Sequence, residues 1–104
     1  MNLAMAYCRT LIPIARGASP SELLAPLLER LGLAVEQPDG RTLMAFELPC
    51  SGRPVQDYVR VWADWSDLAN TGELLLETLS GESMARSRTR CAAVLETIRS
   101  SLPA

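Results

Sequence analysis

Three arginines at alternate positions in "ARSRTR", Arg86, Arg88 and Arg90, are the densest chemical feature of the chain. Guanidinium groups at that density suit bidentate contacts to phosphates or carboxylates. A second candidate is Cys50 in "PCSGRP", three residues before Arg53, whose charge would favour a thiolate. Two acid pairs, Asp64 with Asp67 and Glu73 with Glu77, have the residue types for general acid–base chemistry or for a hard cation. Nothing nearby completes any of these sites. The chain has no histidine, which removes Ser-His-Asp triads, Cys-His dyads and imidazole metal ligands. It also removes the side chain that normally senses pH near neutrality. No phosphate-cradling glycine loop follows Cys50, and "LANTGE" lacks a nucleotide-binding glycine pattern. The expectation is a non-enzymatic chain with no catalytic residue, no metal and no cofactor.

The elements that would carry these residues follow from periodicity. "NLAMAYCRTLI" places Leu3, Tyr7 and Leu11 in one helical row, so residues 1–18 are expected to hold a helix or an arm, ended by Pro13. In "SPSELLAPLLERLG", Ser19 is a capping residue, Pro20 suits the first helical position and Glu22 completes a capping box. Leu23, Leu24, Leu27, Leu28 and Leu31 make its apolar stripe, and Gly32 its stop. Pro26 conflicts with a regular helix, which must kink or start there.

Strand-like runs follow. "LAVEQ" leads into the turn "PDGR", where Gly40 would supply a positive φ. "TLMAFEL" puts Thr42, Met44, Phe46 and Leu48 on one face, with Leu43 and Ala45 on the other. "VQDYVRVWADW" puts Val55, Val59, Val61 and Trp65 on one side, with Tyr58, Arg60, Trp62 and Asp64 opposite. "ELLLETL" reads better as a last strand than as a helix. A final helix is expected from about Glu82 to Leu102, with Met84, Cys91, Leu95, Ile98 and Leu102 in one stripe. Residues 1–104 therefore form one two-layer α+β domain. Its antiparallel meander of three to four strands is flanked by an N-terminal helical region and a C-terminal amphipathic helix.

On that final helix the arginines would not form one patch. Arg86 and Arg90 would stack on one flank and Arg88 would lie with Arg99 on the other, framing the apolar stripe. Glu82 could then pair with Arg86, and Glu96 with Arg99. Charge is also unevenly spread. Residues 1–19 carry +2, residues 20–81 carry −6 and residues 82–104 carry +2, for a net −2. Basic ends and an acidic middle can associate within a chain or between copies. Tyr58, Arg60 and Trp62 fall on the outer sheet face. Aromatics exposed among charges there mark a partner surface, with Arg86, Arg88 and Arg90 as its basic contribution.

Three widely spaced cysteines, Cys8, Cys50 and Cys91, fit a reduced cytoplasmic protein with free thiols, with one disulfide plus a free thiol left open. All ten cations are arginine, a usage that points to bacterial coding bias. The N-terminus lacks the basic region of a signal peptide, and no apolar run is long enough to span a membrane.

The order "LLAPLLERLGL", "DGRTLMAFEL", "VRVWADW", "GELLLETL" and a closing amphipathic helix resembles the type III secretion chaperones and the YbjN-like fold over residues 20–102. The resemblance implies a homodimer that holds a partner polypeptide in extended form on its sheet. "SRTRCAAVLETI" is similar to the basic helix start of double-stranded RNA-binding domains, which gives an alternative reading as an RNA-binding module. Against it stand Glu47, Asp57, Asp64 and Asp67, where phosphate would have to approach, and the absence of lysine. The expected partner is a protein, with neither nucleic acid nor a membrane.

Overall fold

A computed structural model describes residues 5–49 and 52–103. Five antiparallel strands form one sheet in the order β1-β5-β4-β3-β2: β1 (Met5–Pro13), β2 (Leu33–Asp39), β3 (Thr42–Glu47), β4 (Val59–Asp64) and β5 (Glu73–Ser83). Helices α1 (Pro20–Arg30) and α3 (Arg90–Ser101) pack on one face of the sheet, and the short α2 (Leu68–Thr71) links β4 to β5. The α+β class and the meander β2–β5 are as the sequence indicates. Among the described residues no helix is long and apolar enough to cross a membrane.

The N-terminal segment corrects the reading. It is a nine-residue edge strand, not a helix, and it pairs with β5 from Met5↔Ser83 to Pro13↔Glu73. Tyr7 and Leu11 do share a face, but a spacing of four fits a period of 2 as well as one of 3.6. Long-range pairing decides between them. Ala6 and Ile12 are buried on the helix side, while Tyr7, Arg9 and Leu11 alternate outward. The sheet therefore has five strands rather than three or four. Leu3 lies outside the described residues.

Helix α1 forms where its signals place it. Ser19 Oγ accepts the Glu22 N–H at 3.3 Å, Pro20 occupies the first turn, and Leu24, Leu27 and Leu28 are buried. Gly32 ends it at φ 84°. The helix runs through Pro26 without restarting. Pro26 and Glu22 both face solvent, so water can take the carbonyl that the proline leaves unpaired.

Helix α3 starts at Arg90, eight residues later than the periodicity suggests, because β5 continues through "SGES" with Ser80 and Glu82 pointing inward. Thr89 is the cap, its Oγ1 accepting the Ala92 N–H at 3.3 Å. Cys91 and Ile98 are buried and Leu95 and Leu102 partly so, but Met84 precedes the helix and is 54% exposed. Arg86 and Arg88 therefore lie in the connection between β5 and α3, not on a helix flank.

The core is the layer between helices and sheet: Leu24, Leu28 and Ile98 against Leu43, Val59, Val61, Leu74 and Leu76. The β2–β3 turn is held by Asp39 Oδ1, which accepts the Arg41 N–H at 2.7 Å and the Thr42 hydroxyl at 3.0 Å. Gly40 does not take a positive φ. Trp65 buttresses this end through Nε1 to Gly40 O at 2.9 Å and its own N–H to Arg41 O at 2.8 Å. Val55 is not a strand residue. It opens a 3-10 turn, Val55–Asp57, that crosses the outer face at Gly81. A Cβ on Gly81 would sit 3.0 Å from both Cα and O of Gln56. Gly81→Ala is expected to destabilise the fold by about 1–3 kcal/mol, since backbone must yield; urea denaturation checks this against the open position Gly40→Ala.

Candidate functional site: the open sheet face and its arginine clamp

Among the described residues the helices cover only one face of the sheet. On the other, alternation brings Met5 and Tyr7 of β1, Met44 and Phe46 of β3, Arg60 and Trp62 of β4, and Glu77 and Leu79 of β5 to one surface. They line a groove of about 820 Å3, walled at one end by Val55, Gln56 and Tyr58. Register sets the neighbours. Trp62 lies between Met44 and Glu77, and Arg60 lies between Phe46 and Leu79. Tyr7 donates to the Glu77 carboxylate, and this hydrogen bond, helped by burial, holds its phenol above the usual range. The Tyr58 hydroxyl donates to Pro49 O at 2.9 Å, which fixes the ring at the groove wall. Three of the six partner residues read from the sequence, Tyr58, Arg60 and Trp62, thus come together in the groove. The sequence did not point to Met5, Tyr7 or Val55 as members.

The arginines are elsewhere. Arg86 Nη1 donates to Glu82 at 2.7 Å and reaches Asp57 at 3.4 Å. Arg90 pairs with Glu47 and donates to Asp57 O at 2.9 Å. Arg53 approaches Glu47 at 3.7 Å. Among the described residues Arg88 makes no ion pair; it is exposed in the connection. The basic end of the chain meets the acidic middle within one molecule. The Glu82–Arg86 and Glu96–Arg99 pairs form as read, the first off a strand end rather than on a helix.

Glu82 is the centre of this clamp and only 3% exposed. Oε1 accepts the Ser80 hydroxyl and the Arg90 N–H, both at 2.7 Å. Glu47 accepts the buried Val59 N–H at 3.0 Å besides its arginines. Burial pushes the Glu82 carboxyl up, but the Ser80 and Arg90 hydrogen bonds and the two guanidinium charges outweigh it, holding the carboxyl below the usual range. A carboxyl depressed in the folded state contributes stability above its unfolded pKa and loses it as pH falls through the folded one. Urea midpoints are therefore expected to fall below the ordinary glutamate range, with a shallower fall in Glu82→Gln. An identical acid slope in both proteins would contradict this.

The clamp also positions the groove. Asp57 closes the 3-10 turn whose Val55 and Gln56 form the groove wall, and Arg86 and Arg90 hold it from the opposite side. Asp64 and Asp67 serve the turn before β5, accepting the Ser66 N–H and the Asn70 side-chain amide, each at 2.9 Å. Cys50 lies outside the described residues. Among those described, no three Cys, Asp or Glu residues are grouped so as to hold a metal ion.

The chain matches no protein-family model, no curated protein and no solved structure.

Proposed function

We propose that the chain is a non-enzymatic protein-binding module, chaperone- or adaptor-like and homodimeric, which holds an extended partner segment on the open face of its sheet. The observation that carries this reading is the uncovered groove, where Tyr7, Phe46, Tyr58 and Trp62 surround Arg60. Aromatic and sulfur-containing side chains beside one cation suit alternating apolar and acidic residues of a strand-like peptide. The likeness of residues 20–102 to type III secretion chaperones supports the same mode. The RNA-binding alternative is weakened because Arg86 and Arg90 already face carboxylates of their own chain.

Selection of displayed random peptides against the protein, with light scattering of the free chain, tests the reading. The expected result is a dimer that selects extended apolar peptides with acidic residues. A monomer that selects none, yet binds an RNA duplex with a steep salt dependence, would replace it with the RNA reading.

A further inference from the structure

Cys8 and Cys91 are far apart in sequence and adjacent in the fold. Cys8 points from the edge strand β1 toward the helices and is paired across the ladder with Thr78. The Thr78 hydroxyl in turn donates to the Cys91 carbonyl, at 2.8 Å, in the first turn of α3. One residue therefore bridges the two cysteines, and both side chains pack into the layer where α3 lies against β1. Cys91 is fully buried, Cys8 half-buried, and both are free. Among the described residues β1 has only β5 as a strand neighbour, so its attachment depends on that ladder and on α3 packed behind it.

We propose that Cys8 and Cys91 are a disulfide-forming pair whose oxidation staples α3 to the edge strand β1. The oxidant is a small-molecule disulfide of the glutathione class. The Cys8 thiolate, the more accessible, attacks one sulfur of that disulfide, forming a mixed disulfide and releasing one small thiol. The Cys91 thiolate then attacks the Cys8 sulfur and expels the second small thiol. Two protein thiols and one small disulfide give one protein disulfide and two small thiols, and the protein's two protons leave on them. Burial, and then the neighbouring Cys91, push the Cys8 thiol up, so the thiolate is scarce near neutrality and the reaction is slow. Its rate should rise about tenfold per pH unit while the thiol remains mostly protonated.

The test is incubation of the folded wild-type chain with oxidised glutathione, followed by alkylation, non-reducing peptide mapping and amide hydrogen exchange. The expected product links Cys8 to Cys91 within one molecule. It melts several degrees higher than the reduced chain and exchanges the β1 amides about tenfold more slowly or better, and a dithiol reductant reverses both effects. Cys8→Ala should fold normally and show neither shift. Recovery of Cys8 and Cys91 as alkylated thiols after prolonged oxidation at alkaline pH, or a link from either to Cys50 instead, would overturn the proposal.

Discussion

Glu82→Ala is expected to cost about 3 kcal/mol of folding stability, among the largest losses available outside the apolar core. The substitution removes a carboxylate that is 3% exposed and leaves one buried donor, the Ser80 hydroxyl, and one part-buried donor, the Arg90 N–H, without their acceptor. Each orphaned donor costs about 1–3 kcal/mol. The Arg86 contribution is small, because that side chain is half-exposed and keeps Asp57. Glu82→Gln keeps the volume and one acceptor and should lose about half as much. Urea unfolding of the three proteins measures the series. A loss of under about 1 kcal/mol in Glu82→Ala would mean that the cluster is a solvated surface network, as most ion pairs are. The same variant should loosen the groove wall, since Arg86 and Arg90 hold Asp57 from the Glu82 side.

Trp62→Ala is expected to weaken binding of selected peptides on the order of 100-fold while leaving the fold intact. Trp62 sits centrally in the groove, flanked by Met44 and Glu77, and is half-buried before any partner arrives. Central aromatics that lose their remaining water on binding dominate interface energies, while rim charges add little. Arg60→Ala should cost less, about tenfold, and mainly for peptides with acidic residues. Arg88→Glu should leave affinity unchanged, since Arg88 lies in the β5–α3 connection and does not line the groove. Calorimetric titration of the three variants, with circular dichroism to confirm folding, checks the ranking.

Much of this arrangement is legible in the sequence, for local reasons. The alternation in "TLMAFEL" and "VRVWADW" sorts Leu43, Ala45, Val59 and Val61 to one side and Phe46, Arg60 and Trp62 to the other, because the strand period is fixed by covalent geometry. Ser19, Pro20 and Gly32 punctuate α1 for equally local reasons. What escaped the sequence is long-range. β1 reads as a helix because Tyr7 and Leu11 fit either period, and only β5, about seventy residues away in sequence, resolves it. The arginine run reads as a basic frame on a helix because its carboxylate partners Glu47 and Asp57 lie 43 and 29 residues away and look like ordinary surface acids. Glu82 reads as a helix-start residue, whereas alternation with Ser80 carries both inward. The Cys8–Cys91 adjacency depends on the same misread strand.

On the proposed reading, the open face of the sheet, and not the arginine-rich connection, meets the partner. Amide chemical-shift mapping with a selected peptide tests it directly. The largest perturbations are expected at Met44, Phe46, Arg60, Trp62, Glu77 and Leu79, with the α1 and α3 amides little changed. Perturbations centred on Arg86, Arg88 and Arg90, with the groove residues unmoved, would contradict it.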